Sequence, residues 1–241
     1  MDIGEKAISE AAETGLRAQL DAVDSLNVEI RTDPAKLTQG KLDSVIIEGE
    51  GMVVQNDLRT DKMTLTTGPV DIAMTKIPFG KIELDEPAQA EARVVLKPED
   101  LQAAFNSDFI QKKLRGQKIE LPSGDKVTTD ANDIVFTIPS PGRVAVAADV
   151  MIIEKAENHH VAFSAQPKLI EDGNKVTLED IQYEEDANDM PELTQSLVSG
   201  TEDLLDLRNF ELENMDLRFK KIDIQPDKID IEARANIQSF D

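Results

Sequence analysis

The chain has 241 residues, long enough to bury a substantial core, with 48 acidic residues against 26 basic ones and a formal charge of −22. A surface this negative repels a phosphate backbone on average, and aromatic residues at 4% with no Trp leave little for stacking bases, so nucleic-acid binding is set aside. With no cysteine there is no disulfide framework, thiolate nucleophile or cysteine zinc site.

The N-terminal stretch reads as a helix over 2–25, with Ile3, Ala7 and Ala11 on one stripe and Leu16, Leu20 and Val23 continuing it. Its start, MDIGEKAISE, is charged where a secretory signal needs an apolar centre, and no run reaches the ~20 apolar residues of a membrane helix. As written the chain is expected in the cytoplasm, or in the periplasm if a leader has been trimmed from its start. The period changes to two at Val28, and VEIRT reads as a strand followed by a break at DPAKLTQGK. From Leu42 to Ile72 the pattern is strand-rich. Gly49 and Gly51 interrupt it where a bulge or tight bend is expected.

EARVVL adds a strand, and Lys97-Pro98-Glu99-Asp100 starts a helix, with Pro in the first turn and acids at the positive end of the dipole. Leu101, Ala104, Phe105, Phe109, Ile110 and Leu114 follow at helical spacing, and NSD is a point where that helix divides. IELPSGDKV is a strand, a turn and a strand. GRVAVAADVMIIEK and HHVAFSAQPKLI are strands that can pair, with NHH at the hairpin tip. After the strand NKVTLEDIQYEED, a helix capped at Asp189 carries Met190, Leu193, Leu197 and Leu204 on one face. MDLRFKKIDIQPDKIDIEARANI closes the chain as a hairpin whose apolar residues alternate with polar ones, with a slip at Lys220–Lys221.

Reactive chemistry is scarce. His159 and His160 are neighbours on a strand, point to opposite faces and cannot chelate one ion together. The acidic run from Asp186 fails as an EF-hand, because Pro191 and Leu197 stand where a Gly and a Glu are required. There is no nucleophile elbow, P-loop or dinucleotide fingerprint, and no carboxylate pair is singled out. The chain is therefore read as non-catalytic, with no cofactor and no metal. What stands out is the excess of half-apolar elements, either an ordinary core or the wall of a ligand groove. Slim or adaptable inward side chains (Ala145, Ala147, Ala162, Ala233, Ala235, Met52, Met63, Met215) suit both.

Four stretches resemble, in order, the LmeA-like phospholipid-binding family: DLRTDKMTLTTGPVDI, PAQAEARVVLKPEDLQAAFNSDFI, IELPSGDKV and NFELENMDLRFKKIDIQPDKIDIEARANIQSF. The resemblance covers about residues 25–240. It implies an α+β fold related to the tubular lipid-binding domains: a long curved antiparallel sheet rolled around one or two helices, as a single domain over 26–241 behind the N-terminal helix of 1–25. It further implies a lipid-binding or lipid-transfer function with acyl chains held between sheet and helix. Its better-known actinobacterial members are exported envelope proteins, and this chain shows no export signal.

On that expectation the groove is lined by Leu101, Phe105, Phe109, Leu193, Leu197, Met215, Leu217, Phe219, Ile229 and Ile231, and Arg218, Lys220 and Lys221 form the candidate cation cluster for an anionic head group. The partners expected are a phospholipid or fatty acid and, transiently, a membrane; no residue argues for a dimer. A rival reading is a structural or protein-interaction domain with a fully packed roll. A third is a lipid-acting enzyme with a carboxylate or hydroxyl site at the groove mouth.

Overall fold

A computed structural model describes residues 3–54, 57–73, 83–121, 123–184, 190–206 and 215–239. The architecture is α+β, dominated by antiparallel sheets, with few helices and an N-terminal helix. Two compact units divide it: Met1–Val95 with Glu211–Lys221 and Asp230–Asp241, and Leu96–Phe210 with Ile222–Ile229.

In the first unit, α1 (Ile3–Arg17) is followed by β1 (Ser25–Arg31), the one-turn α2 (Pro34–Leu37), β2 (Lys41–Leu42), β3 (Ser44–Val54), β4 (Leu58–Thr67), β5 (Val70–Asp71) and β6 (Glu83–Leu96). These strands and the C-terminal hairpin of β12 (Met215–Gln225) and β13 (Lys228–Ser239) form a six-stranded sheet, β1-β3-β4-β6-β13-β12, beside the small β2-β5 pair. The expected helix of 2–25 ends at Arg17, because the following residues serve the sheet. Asp21 N–H donates to the Val53 carbonyl at 2.9 Å and Val53 N–H to the Ala22 carbonyl at 2.8 Å. Ile8, Ala12 and Leu16 of α1 pack on Val28, Ile30, Leu42, Val70 and Ala88. The helix also seals the outer edge of β1: Ser9 Oγ accepts from Ile30 N–H and Glu5 Oε1 from Thr32 N–H, both at 3.0 Å.

Gly49 and Gly51 do mark a tight place, although the β3–β4 register runs through them without a shift. Gly51 has φ +59, and a Cβ there would fall 1.9 Å from Asp24 Oδ2, the carboxylate that pairs with Arg59 at 3.1 Å. Only glycine fits that combination of backbone and neighbour.

In the second unit, α3 (Pro98–Phe105) and α4 (Asp108–Leu114) divide where NSD predicts, with Ser107 Oγ capping Ile110 N–H at 3.3 Å. They precede β7 (Arg115–Glu120), β8 (Lys126–Ser140), β9 (Arg143–Ile152), β10 (Glu157–Ile170) and β11 (Lys175–Tyr183), and then α5 (Pro191–Leu204). The strands form a second sheet, β11-β10-β9-β8-β7. The pairing of β9 with β10 follows the sequence expectation, with Ala162 opposite Ala147. The turn between them falls at 153–156, where Ala156 takes φ +54, so the histidines sit inside β10 rather than at the tip. The inward set is also corrected. Phe136 lies opposite Val146, so Val144, Val146 and Ala148 share its face, and Ala145 and Ala147 lie on the other. The Asp189 cap and the segment 207–214 lie outside the described residues.

The register of β8 breaks between Asn132 and Val135, and β7 is too short to cover the rest of its edge. Two amides, Gln102 of α3 and Asn106 at its C-terminal cap, take the place of a strand. Gln102 accepts from Phe136 N–H and donates to the Ile134 carbonyl, both at 2.6 Å, while Asn106 donates to that carbonyl at 2.7 Å and accepts from Ile134 N–H at 3.1 Å. On the far edge, Glu202 of α5 accepts from Leu178 N–H at 2.8 Å and Thr177 Oγ1 at 2.7 Å.

Replacing Gln102 with Ala leaves the Phe136 N–H without its partner, while the Ile134 carbonyl keeps Asn106, and is expected to cost about 1–3 kcal/mol in a urea unfolding titration. A loss under ~0.5 kcal/mol would show that water substitutes freely at that edge.

Candidate functional site

Two apolar surfaces are built by these elements, one in each unit, and they differ in how completely protein covers them. In the second unit the helices close over the sheet. Leu193 and Leu197 of α5 are 0% and 4% exposed and meet Leu114, Thr129, Ala131 and Val150 around a void of about 10 Å³, room for one water at most. Phe105 stacks on Phe136, ring centres 5.5 Å apart and 17° from parallel, and Lys113 Nζ lies 5.7 Å above the Phe109 ring. Leu101, Phe105 and Phe109 are half-buried, and Ile229 is buried at 8% exposure.

In the first unit, α1 covers the β1 end of the sheet, and a further apolar area continues across β4, β6, β13 and β12. Met63 lies opposite Val94 and Leu65 opposite Ala92. Leu65, Leu84 and Leu217 pack on the buried cluster of Ala90, Ala235 and Ile237. Because side chains alternate along a strand, Ala92 and Val94 share the face of Ala90, Ile231 and Ala233 that of Ala235, and Phe219 that of Leu217. Met63, Leu65, Ala92, Val94, Leu217, Phe219 and Ile231 are all half-buried. Of the residues expected to line a groove, Leu217, Phe219 and Ile231 therefore fall on this wall, whereas Leu101, Phe105, Phe109, Leu193, Leu197 and Ile229 belong to the other unit. Met215 starts β12, and its side chain lies outside the described residues.

The sequence expectation did not include Ala92 and Val94; it marked Leu65 only as an apolar strand position and named Met63 among the adaptable inward side chains that suit a core or a groove alike. The alternation in DKMTLTT and EARVVL was visible; the register that sets these residues opposite one another was not.

The same alternation sends the charges to the reverse face. Arg93 Nε pairs with Asp230 Oδ1 at 2.9 Å, Arg218 with Asp216 at 3.3 Å, and Glu91 receives both Lys220 at 3.0 Å and Arg234 at 3.6 Å. The hydrogen bond and charge of Lys220, with help from Arg234, hold the Glu91 carboxyl below its ordinary range. A lowered carboxylate contributes stability that is complete above its unfolded pKa and is lost as pH falls through the folded value. The Glu91 pairs with Lys220 and Arg234 therefore lose their contribution as pH falls through the depressed Glu91 value. Two of the three candidate head-group cations, Arg218 and Lys220, are thus engaged in pairs. Lys221 is exposed and carries no ion pair among the described residues.

His160 Nδ1 lies 2.8 Å from Asp149, while His159 stands opposite Val150 with its Nε2 buried, unbonded and 3.7 Å from Glu157. The two rings point to opposite faces. Among the described residues no three His, Cys, Asp or Glu side chains are grouped to hold a metal, and no helix is long and apolar enough to cross a membrane.

An antiparallel α+β scaffold carrying a half-covered apolar sheet face has the features of a protein that binds by apolar burial. The chain belongs to the LmeA-like phospholipid-binding family, which matches residues 2–234. Neither a curated protein nor a solved structure matches it.

Leu193→Ala removes a side chain packed on all sides and is expected to cost about 2–5 kcal/mol of unfolding free energy by chemical denaturation. A cost below ~1 kcal/mol would mean that the interior around α5 is looser than its packing indicates.

Proposed function

We propose that the chain binds a phospholipid non-catalytically, laying acyl chains against the half-buried wall of Met63, Leu65, Val94, Leu217, Phe219 and Ile231, and carries it between membranes. The observation behind this reading is that wall: a continuous apolar sheet face whose side chains keep part of their surface, in a chain of a phospholipid-binding family. The second unit's interior, with room for about one water beside Leu193 and Leu197, supports placing the chains in the first unit.

Magnitudes favour two chains over one. Burying a methylene is worth about 0.8 kcal/mol, so eight methylenes of a single chain give about 6 kcal/mol gross. Association costs on the order of 4–15 kcal/mol; one such chain offsets only the low end of that range, and two, at about 13 kcal/mol gross, offset most of it. The head group then sits at the rim, where β12 is the edge strand and Lys221 is the cation not already engaged by a carboxylate. A formal charge of −22 disfavours lingering on anionic bilayers, which suits a carrier.

The test is mass spectrometry of an organic extract of the purified full chain, beside its native mass. The expected result is near-stoichiometric phospholipid in the wild type and its loss in Phe219→Asp with an unchanged circular dichroism spectrum. A wild-type protein that carries no lipid and takes none from offered vesicles sinks the reading and leaves the packed interaction domain in its place. Lipid retained in a folded Phe219→Asp protein moves the site off this wall.

A further inference from the structure

The second unit treats the edges of its sheet unequally. Gln102 and Asn106 occupy the edge of β8 beyond β7, and Glu202 occupies that of β11 together with the Leu205 carbonyl, which accepts from Val176 N–H at 3.2 Å. The outer edge of β7 has no such cover among the described residues, and β8 is its only strand neighbour.

The phase of the β7–β8 ladder identifies which groups stand open. Leu121 N–H donates to the Asp125 carbonyl at 2.9 Å, the Gln117 carbonyl accepts from Thr129 Oγ1 at 3.2 Å, and Ile119 lies opposite Val127. In an antiparallel pair, alternate residues exchange both hydrogen bonds with the partner strand. Residues 117, 119 and 121 therefore point their N–H and C=O at β8, and Lys118 and Glu120 point theirs away from it. The open edge ends at Gly116, which takes φ +70 and gives its N–H to Asp130 Oδ1 at 2.8 Å.

The side chains on this edge are complementary to themselves. Lys118 and Glu120 are exposed on the face away from the buried Leu121, and neither enters an ion pair among the described residues. A second copy of β7, laid antiparallel about a two-fold axis, has three registers that bring the open groups face to face. One sets Lys118 opposite Lys118 of the second copy, and another sets Glu120 opposite Glu120 of the second copy. The third is centred on Ile119 and sets Lys118 opposite Glu120 of the second copy, twice over by symmetry. Unlike charges directly opposed stabilise a strand pair and like charges destabilise it, so the third register is selected. Lys126 of β8 lies opposite Glu120, so each row across the seam reads Lys126, Glu120, then Lys118 and Thr128 of the second copy. No like charges are neighbours in that row. On the other face the half-buried Ile119 meets Ile119 of the second copy at a closely spaced position, beside a groove of about 290 Å³ under α5 that leaves room for it.

We infer that β7 pairs with β7 of a second copy in this register, so that two five-stranded sheets continue into one. The contact is isologous and closes at two copies instead of growing into a fibre. Lysine on an edge strand ordinarily guards against pairing; here Glu120 two residues on turns that guard into a choice of register. The seam is short, about four backbone hydrogen bonds with their flanking charge pairs, and the dimer is accordingly weak, with a dissociation constant on the order of 10–100 µM.

Sedimentation velocity of the full chain from about 5 to 500 µM reads the association directly, whether or not lipid is bound. Salt at about 0.15 M screens the charge of −22 on each copy. The wild type is expected to pass from monomer to dimer over that range, with amide exchange at Lys118 and Glu120 slowing as concentration rises. Lys118→Glu alone and Glu120→Lys alone each oppose like charges across the seam and are expected to weaken the dimer at least about tenfold. An equimolar mixture of those two variants restores unlike charges in both rows and should dimerise as the wild type does, as should the double variant carrying both changes. A wild type that stays monomeric across the range, single variants that dimerise as well as it does, a mixture no better than its components, or exchange protection at an edge other than β7 overturns the inference. The exchange measurement needs no variant, so it decides the matter even if a substitution disturbs folding.

Discussion

A β-strand at the edge of a sheet carries a row of unpaired N–H and C=O groups, and this molecule is organised around where those groups find partners. The answer recurs: a polar side chain on a neighbouring helix does the work of a strand. Ser9 and Glu5 do it for β1, Gln102 and Asn106 for β8, and Glu202 for β11. Each of these contacts also fixes a helix over the apolar face beside it, so edge sealing and core formation are one event. That is why α1 stops where residues 21–22 begin to pair with Val53, and why α3 lies where the β8 register breaks.

The two units meet the same requirement to different extents. Over the five-stranded sheet the helices leave no more than a water-sized void against Leu193 and Leu197. On the six-stranded sheet, α1 covers the strands nearest to it, while Met63, Leu65, Ala92, Val94, Leu217, Phe219 and Ile231 remain half-buried around the buried Ala90, Ala235 and Ile237. An apolar wall of that kind is costly in water and useful to a lipid carrier. The charged reverse face keeps the same strands soluble, and its pairs are mostly cross-strand contacts that hold register as much as they add stability.

Acidity shapes the outside. With cations outnumbered, Arg93, Arg234 and Lys220 are drawn into pairs with Asp230 and Glu91, and the depressed Glu91 carboxyl reflects that competition. Exposed cations without a carboxylate partner are correspondingly informative, as Lys221 is in the reading of the lipid rim.

The sequence by itself determined the element types. Period-two alternation marked the hairpin of residues 215–237, Pro98 and its acids marked α3, NSD marked the division from α4, and the four resembling stretches pointed to the family. Local chemistry suffices for these, because alternation, capping and proline geometry act over a few residues. Only the tertiary structure decided which alternating faces share a surface. The residues proposed from sequence as one lining divide between two units. Met63 and Val94, Leu65 and Ala92 become neighbours through a strand register that no local pattern encodes, and Ala145 and Ala147 prove to lie on the face away from Val146. Register is a long-range quantity, set by the joint burial of several strands and by edge contacts such as Gln102 with Phe136, whose residues lie 34 positions apart in the chain.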